Sequence, residues 1–290
     1  MRRLAPRHDV TGLARHDPRT PHAGRHLVCD LVDARRIAEV VGAVHADAVI
    51  HTQALSDVDR CELEPEAAQA QNVEGTVNLL RALERAPSLG RGGRPLLVYV
   101  STDYVFDGMK GAPYEEADEP NPVSVYGRSK HEAERLTLGY PRGVVVRPST
   151  LFGPGRMNFC DHIVSRVSAG APVEAFTDQV TSPTYTVDLA EGLEELCAAL
   201  GPADEPPERV VHMANAGGAS RVAFARRIAT LIGASPELVR PIPMAAQHRP
   251  AARPAYSALT TRHCARLIGR ILRPWDDALR AYLPTARSGG

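Results

Sequence analysis

The chain has 290 residues, and 34 Lys and Arg balance 34 Asp and Glu, a formal net charge of zero at pH 7 with His neutral. That balance provides no cationic field to draw in nucleic acid, and no apolar run approaches the ~18 residues that a membrane helix needs. With 43% hydrophobic and 23% charged residues, the chain reads as soluble and globular, long enough for a nucleotide-binding domain with a smaller lobe.

In chain order, DVTGL (9–13) reads as a short strand and HLVCDLVD (26–33) as a second, ending at Asp30. ARRIAEVVGAVHA (34–46) carries apolar residues at helical spacing, and DAVIHTQAL (47–55) reads as a buried strand. A long amphipathic helix is expected over 65–86, then a Gly- and Pro-bearing loop, SLGRGGRP (88–95). LLVYVST (96–102) is almost wholly apolar, as in strands buried on both faces of a parallel sheet. The Pro-rich GAPYEEADEPNPVSV leads into a helix, YGRSKHEAERL (126–136), followed by a strand, GVVVRPSTLFG (143–153).

Strands alternating with helices imply an α/β fold, a Rossmann-like, doubly wound parallel sheet. Residues 1–150 form the expected dinucleotide-binding domain. Residues 151–290 form mostly a substrate-binding lobe, with one or two segments returning to the main sheet. NFCDHIVSRVSAG, VDLAEGLEELCAAL and RVAFARRIATLIG read as its helices, and the terminal ARSGG as a frayed end.

The five cysteines, Cys29, Cys61, Cys160, Cys197 and Cys264, are dispersed without a CxxC pair. They fit thiols in a reducing compartment. The N-terminus lacks a signal-peptide core, so the cytoplasm is the expected location. No HExxH motif occurs, which argues against a zinc site. Glu115, Glu116, Asp118 and Glu119 read as a solvated acidic loop and not as metal ligands.

Chemistry concentrates in YGRSK. Tyr126 and Lys130 are four apart on a helix, hence on one face. A tyrosine with pKa ~10 is a poor acid at neutral pH, and an ammonium one turn away favours the phenolate and moves it toward the working range. Upstream, STDYVFDG places Ser101, Thr102 and Asp103 at the carboxyl end of a strand, the edge where open α/β sheets bind ligands.

A strand-end hydroxyl followed by YxxxK resembles the Ser/Thr–Tyr–Lys constellation of short-chain dehydrogenases/reductases. STDYVFDG, PYEEADEPNPVSVYGRSKHEAE, VDRCELEPEAAQAQNVEGTVNL, RPSTLFGPGRMNF, DQVTSPTYTVDLA and RPAYSAL together resemble the extended branch, specifically the dTDP-4-dehydrorhamnose reductases and related sugar-nucleotide reductases. The resemblance runs from about residue 9 to residue 283. It implies reduction of the 4-keto group of a nucleotide-linked 6-deoxysugar. Thr102 would bond the keto oxygen, Tyr126 would protonate it, and Lys130 would lower the tyrosine pKa and hold the nicotinamide ribose. Asp30 and Leu31 would lie by the adenine, and Thr52, Gln53 and Ala54 would line the cofactor. Asp103, Tyr104, Asn158 and Phe159 would face the sugar nucleotide, with Arg253 and Ser257 as further positions of the substrate lobe.

Arg15 follows the first strand, where an acidic residue would bind a ribose 2′-hydroxyl and an arginine favours a 2′-phosphate. NADP(H) is therefore expected over NAD(H). The implied partners are the sugar nucleotide and, by analogy with the superfamily, a second copy of the chain.

Three features depart from the family pattern. The opening strand and its glycine-rich, phosphate-cradling turn are absent, since the only early glycines, Gly12 and Gly24, do not open a helix after a strand. MRRLAP reads as the tail of the helix that would follow them, so the expectation is a start assigned one strand–turn–helix too late. Thr150 stands where rhamnose-forming reductases tend to carry an aromatic residue, and Thr181 replaces the glycine of a DQxGxPT pattern. A second reading stays open: a non-enzymatic regulatory subunit resembling the methionine adenosyltransferase β-subunit, which also keeps YxxxK. Epimerase or dehydratase activity would require further acid–base groups beside the triad.

Overall fold

A computed structural model of the chain describes residues 4–16, 24–85, 94–201 and 205–287. Of the loop expected over 88–95, residues 88–93 lie outside them, as do the last three residues of ARSGG.

Four parallel strands make the main sheet, in the order Val210–His212, Gly143–Arg147, Leu96–Val100, Ala48–His51. The two central strands, LLVYV and GVVVR, are almost wholly buried, which is why they read as continuous apolar runs. Their register sets Val98 opposite Val144 on one side and Ile50 on the other. Val210–His212, from the second half of the chain, returns to pair with Gly143–Arg147.

Thr11–Ala14 and Arg25–Val28 form a separate parallel pair, hydrogen-bonded to each other and not to the four-stranded sheet. The helical layer joins the two. Ile37 and Val40 of helix Ala34–Ala43 and Leu79 and Leu83 of helix Gly75–Arg85 share one core with Leu13 and Leu27 of the pair and with Val49 and Leu97 of the main sheet. Each such burial is worth roughly 1.5–3 kcal/mol. Helix Thr186–Leu200 covers the opposite face through Leu189, Leu193 and Leu196. Leu4–His8 is a hydrogen-bonded turn, and Arg7 and His8 both engage Glu194 of that helix.

Several local details differ from expectation. The strand expected over 143–153 stops at Arg147 and resumes as Leu151–Phe152, paired with Thr184–Tyr185. Pro148 has no N–H for the ladder, and Thr150, at φ 29°, is the one non-glycine with left-handed backbone among the described residues. The chain turns there into the second lobe. The long helix over 65–86 carries a π-helical segment at Gln69–Glu74, and a helix at Val58–Leu63, capped by Asp57, precedes it. Arg262–Ile268 and Trp275–Arg287 are helices that the sequence reading did not mark. The second lobe closes over Phe152, Ile163, Phe224, Ile228 and Tyr282.

Three buried titratable groups give the fold an acid limit. Burial, then the field of Lys130, holds His51 down to about 3, and burial, then Arg147, does the same to His212, also to about 3. Burial works against the charge of Glu134, but hydrogen bonds from Arg147 and His131 outweigh it and pull the carboxyl down to about 2. In each case the unfolded chain binds more protons in the acid range, so stability rises with pH there. Tm should fall as pH drops from about 6.5, the ordinary histidine value, toward 3, with further loss below about 4.5 as Glu134 is protonated in the unfolded chain. Calorimetry across this range checks it. The replacement His212→Asn should flatten the upper part of the decline.

Candidate active site

After strand Leu96–Val100 the chain stays extended through Thr102 (φ −162°, ψ 155°), then winds into a single turn at Asp103–Val105. The Thr102 hydroxyl accepts a bond from the Tyr104 N–H at 3.2 Å, which fixes its rotamer at the carboxyl edge of the sheet. Helix Val125–Gly139 starts opposite, where the Ser124 hydroxyl accepts from Gly127 N–H at 3.1 Å. A Cβ on Gly127 would stand 2.2 Å from the Tyr104 carbonyl oxygen, so only glycine allows this approach. The approach brings Tyr126 and Thr102 to the wall of one cleft.

A cleft of about 180 Å³ opens over the pair, lined also by Ser149, Thr150, Leu151 and Arg221. Burial pushes Tyr126 well up, and the neighbouring Thr102 hydroxyl opposes it. Lys130 lies beneath, 2% exposed. Its Nζ donates to the Val100 carbonyl at 2.8 Å and sits 4.1 Å from the Tyr99 ring centre. Burial pulls Lys130 down to about 7, with Glu134 holding it up. The structure therefore gathers Thr102 and Tyr126 directly. It commits the Lys130 ammonium to a carbonyl, and the net displacement of Tyr126 is upward, not the lowering that the sequence led one to expect.

The remaining sequence-derived positions divide by what they touch. Thr52, Gln53 and Ala54 follow strand Ala48–His51. Thr52 is exposed, Gln53 and Ala54 are half-buried, and the Gln53 Nε2 is buried with no hydrogen-bond partner. Arg15 is exposed just past Thr11–Ala14. Asp30 is half-buried and accepts from Val32 N–H at 3.1 Å, while Leu31 is buried against Gly75. Gly12 lies inside a strand and Gly24 just before one, so no glycine-rich strand-to-helix turn occurs among the described residues. The nicotinamide side of a dinucleotide fits the unpartnered Gln53 amide and the exposed Thr52.

Asp103 was expected to face the sugar. It is 2% exposed, and its carboxylate accepts from Ser149 Oγ at 2.8 Å, Ser257 Oγ at 2.5 Å and Thr102 Oγ1 at 3.3 Å. Burial pushes its pKa up against those serine bonds. Ser257 thus closes on Asp103, and Arg253 closes on Asp59 with two bonds of 2.6 and 2.7 Å. Asn158 caps helix Phe159–Ser168, accepting from Cys160 N–H and Asp161 N–H. Tyr104 stands edge-on to Tyr126 at 6.0 Å and accepts from Gln179 Nε2 at 3.4 Å. Phe159 lies under the Arg221 guanidinium at 4.9 Å.

Among the cleft-lining positions that sequence reasoning missed, Ser149 and Leu151 included, Arg221 is the charged one. It opens a helix behind Ser220, and Gln179 of DQVTSPT accepts from its Nε at 3.2 Å. Nothing in the local sequence separates it from the other arginines. The acidic loop also needs correction. Glu116 is buried and accepts from the His212 and His263 amides, Asp118 pairs with Lys110, and Glu115 with Arg262. No group of three metal-ligating side chains occurs among the described residues.

Comparison with known proteins identifies the family. A family model described as RmlD substrate binding domain matches residues 1–288. A dTDP-4-dehydrorhamnose reductase of Mycobacterium tuberculosis is 40% identical over 245 residues, covering 82% of this chain and 77% of its own length. One from Streptomyces griseus is 35% identical over 257 residues, 88% of this chain and 82% of its own. Among solved structures, a dTDP-4-dehydrorhamnose reductase from Bacillus anthracis in complex with NADP superposes with a TM-score of 0.80 at 27% identity, covering 91% of this chain and 90% of that one. With its hydroxyl pair at the edge of a parallel sheet, the chain belongs to the RmlD, or dTDP-4-dehydrorhamnose reductase, family.

Proposed function

We propose that this chain reduces the 4-keto group of a nucleotide-linked 6-deoxysugar, with NADPH as reductant. The observation that carries the reading is the convergence of Thr102 and Tyr126 on one cleft at the carboxyl edge of the sheet, with Lys130 buried one helical turn beyond Tyr126. The relatives named dTDP-4-dehydrorhamnose reductase, one of them solved with NADP, support it. The regulatory-subunit alternative draws no support from them.

A reduced nicotinamide, when bound, supplies hydride to the sugar C4. The chain's own residues do the rest. The Thr102 hydroxyl, released from its 3.3 Å bond to Asp103, donates to the keto oxygen and polarises it. Tyr126 gives its phenolic proton to that oxygen as negative charge develops there. Burial makes the Tyr126 phenolate costly, so the proton transfer needs a cation nearby, and Lys130 is the one lodged beneath. Gln53 and Thr52 would hold the nicotinamide side, Asp30 and Leu31 the adenosine, and Arg15 the 2′-phosphate.

In the cleft, Tyr104, Phe159 and Arg221 would meet the sugar nucleotide. Asp103, Asn158 and Arg253 shape that wall through the contacts they make within the protein. A cytoplasmic homodimer is the setting that the family resemblance suggests, and no described helix is long and apolar enough to cross a membrane.

Two measurements check this reading. Tyr126→Phe should lower kcat with dTDP-4-keto-6-deoxyglucose or its rhamnose-series epimer by about 10²–10⁴-fold, the span of general-acid catalysis, while cofactor binding is unchanged. Absence of NADPH oxidation by the wild-type chain with either sugar would overturn the proposal. Separately, Arg15→Ala should raise KM for NADPH by about 10-fold or more, the value of one charge-assisted contact, and leave KM for NADH nearly unchanged.

A further inference from the structure

The face of helix Val125–Gly139 that carries Tyr126 and Lys130 continues one turn further to Glu134, a residue that the proposed reaction does not use. Glu134 is 1% exposed. Its two carboxylate oxygens accept from Arg147 Nε at 2.8 Å and Nη2 at 2.7 Å, and the Nδ1 of His131 lies 3.3 Å from it. Arg147 is itself buried, at the end of strand Gly143–Arg147, with its guanidinium 5.1 Å from the Phe106 ring centre. A buried ion pair of this kind contributes little net stability compared with apolar residues of the same volume. Its presence beneath a reaction centre therefore calls for a reason other than packing.

The geometry points to one. We propose that Glu134, clamped as a carboxylate by Arg147, is a positioning residue that keeps Lys130 in its ammonium form beneath Tyr126. Every other group packed around Lys130 either opposes the ammonium or offers only dipoles. Strand Ala48–His51 brings neutral His51, strand Leu96–Val100 brings the Tyr99 ring and the Val100 carbonyl, and the helix itself carries the uncharged Tyr126 one turn earlier. Arg147, from the neighbouring strand, is a second cation in the same interior, and its charge is spent on Glu134. A carboxylate one helical turn away is the one anion among the groups that bear on Lys130, and its field is what opposes the desolvation of the ammonium. A Gln at position 134 would keep the shape and lose that field, which is the substance of the inference.

The inference rests on the reductase reading for its consequence, but its test has a readout that does not. The sequence holds only two lysines, Lys110 and Lys130, so selective 15N labelling of lysine gives two side-chain signals, and Lys130→Arg assigns them. In the wild-type protein the Lys130 signal should titrate near neutrality. In Glu134→Gln its midpoint should fall by about one pH unit or more, the size expected for losing a charge one helical turn away in a protein interior. Glu134→Asp, which keeps the carboxylate, should restore most of it. The double variant Glu134→Gln/Arg147→Met, which also removes the Arg147 cation left unpaired by the single change, should show a smaller fall of the same sign even if Glu134→Gln alone folds poorly. In the enzymatic assay the alkaline limb of kcat/KM should move down with the NMR midpoint.

An unchanged Lys130 midpoint in both Gln variants would overturn the inference, whatever happens to Tm. A wild-type chain whose Lys130 behaves as stated but which oxidises no NADPH would overturn the reductase reading and leave the inference standing.

Discussion

The close approach of two pieces of backbone governs the site. Gly127 sits so near the Tyr104 carbonyl that any side chain would collide with it, and this contact places the first turn of helix Val125–Gly139 against the segment that leaves strand Leu96–Val100. Tyr126 and Thr102 meet only because that distance is small. The helix then descends across the sheet, so that Lys130 and Glu134, one and two turns on, are carried into the interior. Reactive geometry and buried electrostatics thus follow from one packing constraint.

A second constraint ties the lobes together. The Asp103 carboxylate collects hydroxyls from Ser149 and Ser257, and Ser149 in turn accepts from the Ser182 amide at 3.2 Å. Segments distant in the chain converge on the residue next to Thr102. A shift of the second lobe would therefore be felt at the residue next to Thr102. Such a buried network is worth its desolvation cost only while every member is satisfied.

Much of this was legible in the sequence. Alternating apolar runs and amphipathic stretches gave the order of strands and helices, because both faces of the central strands are covered and their residues must be apolar throughout. Thr102, Tyr126 and Lys130 were legible from spacing, since helical periodicity and strand ends are local properties. What was not legible depends on contacts between distant segments. Asp103 and Arg253 carry the charges expected of substrate ligands, but Ser149, Ser257 and Asp59, far away in the chain, absorb them. Asn158 precedes a helix, and capping claims its side chain. Arg221 is one arginine among many until the fold places it over Phe159. The break after Arg147 hides in a run that reads as one strand, because Pro148 and the left-handed Thr150 act through geometry and not through hydropathy.

The division of the sheet bears on how the molecule opens. Thr11–Ala14 and Arg25–Val28 share a ladder only with each other, and side chains of the two covering helices join them to the remaining strands. Side-chain packing without a continuous ladder allows one part to loosen while the other stays folded. Amide hydrogens of Ala14 and Leu27 should therefore exchange through a smaller, earlier opening than those of Val98 and Val145. The adenosine end of the proposed cofactor path rests on the looser part and the reacting hydroxyls on the firmer one. Local breathing would then change how tightly the dinucleotide is held, without disturbing where the proton is delivered.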